Sequence, residues 1–383
     1  MRQFFNEFKN FFRKGDMVLL LLCMMTTAFG CLMISSSTAH MGAVRHVIIQ
    51  IVAAAMGIFF YAVISSIDLE AMAEQRTLLV VFNTFMLLLL YPFGTTVNGN
   101  RSWLDFPILP VNIQPAEICK ITYIIIMASV MNSHQNRLSS IPSVFHMLLH
   151  LGILFGLNVF ISGDMGVSLI FAFIFIGMTF AGGVSIFWFA LAGGAIAIGA
   201  PIAWEYVLAD YQKERIEVLW NPEIDPLGVD ARYHARISLQ SLTGGGFTGQ
   251  GLYNGNRTQV GALPAQHTDF IFSAIGEELG FFGCMLALIL IVAIIARCVY
   301  VGIKSPDFMR RLVCFGAASA LIFQVVINVG MCIGVMPVIG LTLPFISYGG
   351  SSTVTLYAML GLVSGVHARP TSTSHERYIR PYR

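Results

Sequence analysis

"LPAQHTDFIFSAIGEELG", residues 263–280, decides the class of fold. It stands where a long polar stretch gives way to one of the most apolar runs in the chain, and it carries Asp269, Glu277 and Glu278 into that run. About 20 apolar residues, at about 1.5 Å of helix rise each, cross a hydrocarbon core of about 30 Å. Working outward from 269–303, comparable runs recur at roughly 17–35, 47–66, 78–94, 115–133, 144–162, 166–182, 184–205, 312–336 and 345–367. The 383 residues are 56% hydrophobic and only 11% charged, where an ordinary soluble domain has about a quarter charged. The expectation is an all-α integral membrane protein with ten transmembrane helices forming one polytopic domain over 1–383. The formal net charge of +2 points neither to nucleic acid nor to an acidic partner.

Lys and Arg set the orientation. With the N-terminus in the cytoplasm, Arg76, Arg137, Lys304, Arg310, Arg311 and Arg369 all fall in inner connections, whereas the short outer ones hold Arg45 and Arg101. The positive-inside rule then places both termini in the cytoplasm. Residues 1–16 read as an interfacial leader, with Phe4, Phe5, Phe8, Phe11 and Phe12 on one helical face. Residues 206–268 read as a large extracellular loop between spans seven and eight, and 368–383 as a cytoplasmic tail. The seven cysteines lie in or beside the apolar runs without a CxxC pair and read as small core hydrophobes.

An ionised side chain within a span costs about 2.5–3.5 kcal/mol even on the lenient insertion scale, so such residues face a polar interior. Asp269 falls in the first turn of the eighth span, with His267 and Thr268 at its mouth. A carboxylate there suits the positive end of the helix dipole, so simple capping is one reading and a polar catalytic cleft the other. Glu277 and Glu278 follow about 12 Å deeper by the helix rise. In "QPAEICK" (114–120) Glu117 and Lys120 sit one turn apart; they read as an intrahelical ion pair, or as a site where Lys120 meets a lipid-linked pyrophosphate. "SGDMG" (162–166) sets Asp164 in a tight turn. "GLTLPFISYGGSS" (340–352) predicts broken backbone at the start of the last span, hence a cavity near Ser347, Ser351 and Thr353. "TGGGFTGQG" (243–251) lacks the strand–helix context of a phosphate loop.

Four strings, "HTDFIFSAIGEELGFFG" (267–283), "NVGMCIGVMPVIGLTLPFISYGGSS" (328–352), "NGNRSWLDFPILPVNIQPAEICK" (98–120) and "RIEVLWNPEIDPLG" (215–228), resemble the SEDS proteins of the RodA, FtsW and SpoVE type. The resemblance runs over nearly the whole chain. It implies a ten-span peptidoglycan glycosyltransferase that polymerises lipid II on the outer face of the bacterial cytoplasmic membrane, with a class B penicillin-binding transpeptidase as partner. It places the family's proposed catalytic carboxylate on Asp269, its functional Glu and Lys on Glu117 and Lys120, its acidic residue after the fifth span on Asp164, and its outer basic residue on Arg45. The sequence departs from the pattern at Ala265, Gly163 and Val260.

The chemistry so implied is displacement of undecaprenyl pyrophosphate from an anomeric carbon by a sugar hydroxyl. Asp269 would be the general base, with Lys120, Arg45, Arg101 and Arg215 helping the pyrophosphate leave. A bound divalent cation, Mg or Mn, would add a Lewis acid. The alternative is a flippase for a lipid-linked cell-wall precursor, since intramembrane carboxylates and a broken last span also suit a transporter.

Overall fold

The computed structural model describes residues 14–97, 100–105, 112–206, 210–221, 225, 233–263 and 265–369, without the side chains of 211, 212 and 215. The leader up to residue 13 and the tail from residue 370 lie outside it, as do parts of the 206–268 segment. Nine helices among the described residues are long and apolar enough to cross a membrane. In chain order the main elements are α1 (Met17–Ser37), α2 (Ala43–Ser66), α3 (Arg76–Leu88), the strands β1 (Gly94–Val97) and β2 (Asn100–Leu104), α4 (Pro115–Ser133), α5 (Ile141–Leu157), α6 (Met165–Gly182), α7 (Ile186–Tyr206), α8 (Tyr233–Gly245), α9 (Ile271–Lys304), α10 (Phe308–Cys332) and α11 (Gly350–Ala368). The two strands pair antiparallel as a small hairpin.

The bundle is built around α4, α10 and α11, whose side chains are mostly buried. By contrast α7 buries none of its residues. A helix apolar all round, facing outward, needs lipid rather than water around it. The helix starts are chemically marked. Asp16 caps α1 through the Leu19 amide at 3.0 Å, Asp164 caps α6 through Val167 at 3.0 Å, and Asp307 caps α10 through Arg310 at 2.9 Å. Each carboxylate satisfies an amide left open in the first turn. Asp16 also receives a bidentate pair from Arg297, at 2.8 and 3.1 Å, which neutralises a fully buried acid.

Two expectations need correction. Asp269 is not in the first turn of its span. Helix α9 begins at Ile271, and residues 265–270 form a turn in which the Ala265 carbonyl accepts from the amides of Thr268, Asp269 and Phe270. The final helix begins at Gly350 rather than at 345, because 340–349 is extended and turned backbone.

Helix α9 is itself interrupted. Gly280 adopts φ 66°, ψ −160°, outside helical space. The glycine-rich 243–251 segment, which ends α8, docks on that break: the amides of Gln250 and Gly251 donate to the carbonyls of Glu277 and Glu278, both at 2.9 Å, and the Phe281 amide donates to Gly246 at 2.9 Å. A Cβ at Gly249 would overlap the Glu278 carbonyl, so the two backbones meet only through glycine. The glycines serve backbone-to-backbone contact, and residues 233–259 are folded into the helical body.

Candidate active site

The polar groups gather at one end of the bundle. Asp269 is held there through its own backbone: the Asn328 side-chain amide donates to the Asp269 carbonyl and to the Leu341 carbonyl, each at 2.7 Å. The broken 340–349 segment grips the same turn from the other side. Ser347 Oγ donates to the Thr268 carbonyl at 2.6 Å and accepts from the Leu343 amide at 2.8 Å, while the Tyr348 amide donates to the His267 carbonyl at 2.8 Å. Gln50 on α2 completes the support, donating to Ser347 and Thr353 at 3.3 and 2.9 Å and accepting from the Gly349 amide at 3.2 Å. The carboxylate is left half-buried beside Gly340. Burial pushes its pKa up to about 6, Asp164 adds to the rise, and a hydrogen bond from Thr268 opposes it.

Asp164 faces the same end. One carboxylate oxygen caps α6; the other accepts from Ser102 and Gln114, both at 3.3 Å. Burial raises its pKa, and the charge of Glu117 contributes in the same direction. Gly166, the second residue of α6, lies against the Ile339 carbonyl. The start of α6 therefore abuts the segment that carries Leu341 and supports Asp269.

Lys120 and Glu117 form a closed pair at 2.7 Å, with both side chains almost fully buried. Thr355 donates to the second Glu117 oxygen at 2.9 Å, and Ser351 accepts from the Gln114 amide at 3.2 Å. The pair thus belongs to the packing between α4 and α11 in this conformation. Arg45 is more open: with Gly42, His46 and Tyr348 it lines a surface depression of about 270 Å³. His46, His267 and Tyr348 form a ring trio with centroids 5.2–5.6 Å apart. Burial, with the neighbouring His46 and His40, lowers the His267 pKa to about 4, which leaves that imidazole neutral at neutral pH. Arg45 brings a fixed positive charge to this mouth.

Arg101 stands apart, donating to the Tyr91 carbonyl at 3.0 Å on the exposed hairpin; its neighbour Ser102 is the residue that reaches Asp164. Arg215 lies in the short helix Asp210–Glu217, and its side chain is outside the described residues. Glu277 and Glu278 hold the 249–259 segment: Glu277 accepts from Arg257 and Thr258 amides at 3.0 and 2.8 Å, and Glu278 from Gln259 at 2.7 Å and Ser36 at 2.5 Å. Sequence reasoning missed Asn328, Gln50, Gln114 and Ser102. Gln50 and Asn328 are lone amides in apolar runs, and the insertion cost that singled out the charges would have marked them too.

Among the described residues, no three His, Cys, Asp or Glu side chains converge as a protein-only metal site requires. Asp269 and Asp164 are close enough for their charges to interact, and one or two carboxylates are what Mg takes when substrate phosphates supply the remaining oxygens.

A many-helix membrane protein with a carboxylate site built on broken helix ends is thus defined by fold and geometry. The chain belongs to the FtsW/RodA/SpoVE family of cell cycle proteins, whose family profile matches residues 16–372. It is 32% identical over 355 residues to the peptidoglycan glycosyltransferase MrdB of Escherichia coli (strain K12), covering 92% of this chain and 93% of that protein. It is 31% identical over 360 residues to the probable peptidoglycan glycosyltransferase FtsW of Thiomicrospira cyclica, covering 91% and 90%. Among solved structures, a chain of a peptidoglycan synthase complex that coordinates polymerization and crosslinking superposes with a TM-score of 0.79 at 28% identity, covering 96% of this chain and 99% of that one. The rod shape determining protein RodA of Thermus thermophilus superposes with a TM-score of 0.68 at 26% identity, covering 92% and 96%.

Proposed function

We propose that this chain is a peptidoglycan glycosyltransferase, a lipid II polymerase of the bacterial cytoplasmic membrane, with Asp269 as its general base. One observation carries the role of Asp269: its carboxylate is half-buried, raised in pKa and fixed by backbone contacts from Asn328 and the 340–349 segment. A positioned base with a pKa near working pH is what proton removal from a sugar hydroxyl needs. The acceptor's 4-hydroxyl attacks the donor's anomeric carbon as its proton passes to Asp269. The anomeric C–O bond to the lipid pyrophosphate breaks, and undecaprenyl pyrophosphate leaves with the electron pair.

Arg45, at the open depression, is assigned to the pyrophosphate. Lys120 meets phosphate only by leaving Glu117, and Arg101 and Arg215 are assigned to the outer rim. A divalent cation, Mg or Mn, would be held by Asp269 or Asp164 and would supply Lewis-acid polarisation of the leaving phosphate. The topology in this reading has ten spans, with α11 the tenth, both termini in the cytoplasm, and the 206–268 segment and active site outside. The partner is a class B penicillin-binding transpeptidase.

The test is polymerisation of lipid II by the purified protein, with and without a cognate class B partner and a chelator. Glycan product from wild type and none from Asp269→Asn is expected. Equal rates from the two proteins would remove Asp269 from the base role.

A further inference from the structure

Away from the active site, α3, α4 and α5 line a small pocket that includes Asn83, Thr84, Tyr123, Ile126, His150 and Leu154. Three polar atoms on this lining, Asn83 Nδ2, Tyr123 OH and His150 Nε2, are buried and have no hydrogen-bond partner in the protein. Asn83 is 1% exposed and Tyr123 0%. The other end of the Asn83 amide is occupied, because its Oδ1 accepts from the Thr122 hydroxyl. Turning the amide over would exchange the two ends and still leave one of them unpaired towards the cavity.

A buried polar group without a partner is costly, and native structures rarely keep one. Here three occur around one small space, contributed by three different helices. The space between them has room for about one water molecule. The remaining lining is aliphatic apart from Thr84 and carries no Asp, Glu, Lys or Arg to attract an ion. The donors and acceptors suit a neutral molecule: an amide N–H to donate, a phenol that donates or accepts, and an imidazole nitrogen that does either.

We propose that Asn83, Tyr123 and His150 bind a structural water in the interior of the helical bundle. Three hydrogen bonds are the usual complement of a buried water. The site lies one turn beyond Lys120 on α4, so the water ties the rotation of α4 to α3 and α5 and helps keep Glu117 and Lys120 facing Thr355.

The sign of one substitution tests this. Tyr123→Phe removes only the hydroxyl. If that hydroxyl is bonded to water, the variant of the full detergent-solubilised chain melts a few degrees lower than wild type. If the hydroxyl is orphaned, its loss leaves the melting temperature unchanged or raised, and the proposal fails. Radiolytic labelling in oxygen-18 water supplies an independent readout. Hydroxyl radicals form from bound water, so Tyr123 should be labelled despite its burial, while Tyr61, equally buried but bonded to the Asp16 carbonyl, should not. An unlabelled Tyr123 overturns the proposal even if Tyr123→Phe melts low.

Discussion

The side-chain amide of Asn328 holds the main-chain oxygen of Asp269 at 2.7 Å, and through the same nitrogen holds Leu341 at the same distance. The proposed base is thus positioned by its backbone, with a hydrogen bond from Thr268 on its carboxylate. Asn328→Leu strips the donor from two carbonyls, at about 1–3 kcal/mol for each buried oxygen left unsatisfied. We expect a lower melting temperature and a fall of at least about tenfold in lipid II polymerisation, since misplacing a reacting group by even about 1 Å is costly. Unchanged turnover by a destabilised Asn328→Leu protein would show that the clamp serves the fold alone.

The raised pKa of Asp269, about 6, sets a pH dependence. A base must be ionised, so the rate should be flat above about pH 7 and should drop as pH falls through about 6, approaching tenfold per unit. The stability effect has the opposite sense: because the folded pKa lies above the ordinary 3.8, ionisation of Asp269 costs the fold stability that falls away as pH rises from about 4 to about 6, and the cost is absent below that window. Asp269→Asn should therefore melt no lower than wild type at pH 8 while losing about 10²–10⁴-fold in rate. Melting curves and initial rates across pH 5–8 check both halves.

The Glu117–Lys120 pair is closed and buried. Removing one partner of such a pair costs about 3–5 kcal/mol, whereas replacing both with neutral groups is often tolerated. Lys120→Met should melt well below wild type, and Glu117→Gln combined with Lys120→Met should recover much of the loss without recovering activity. A Lys120→Met protein of wild-type stability with only a raised KM for lipid II would instead put Lys120 on substrate.

Gly249 has φ 80° and no space for a Cβ beside the Glu278 carbonyl. Gly249→Ala should lift the 243–251 segment from α9 and sharply lower the yield of folded protein, read by size-exclusion chromatography in detergent. Gly246→Ala, at φ 56° but with open space, should be milder.

The membrane spans were legible in the sequence because insertion demands length and apolarity, both of which are read locally. Pro344 and the Gly349–Gly350 pair likewise announced the broken start of α11. Asp269 was singled out through its position and its resemblance, but the side chains that hold its turn were not, because Asn328 and Gln50 act on carbonyls far away in the chain. The break at Gly280 was hidden for a related reason. Ser273, Gly276, Gly280 and Gly283 repeat at helical spacing, and only the docking of 243–251 turns one of those glycines out of the helix.

That break resolves a mismatch of lengths. An unbroken helix of 34 residues would measure about 51 Å at about 1.5 Å per residue, against a hydrocarbon core of about 30 Å. Residues 281–304 alone, about 36 Å long, cross that thickness with modest tilt. The piece before Gly280 is then relieved of spanning, so Glu277 and Glu278 need not be charged groups in oil.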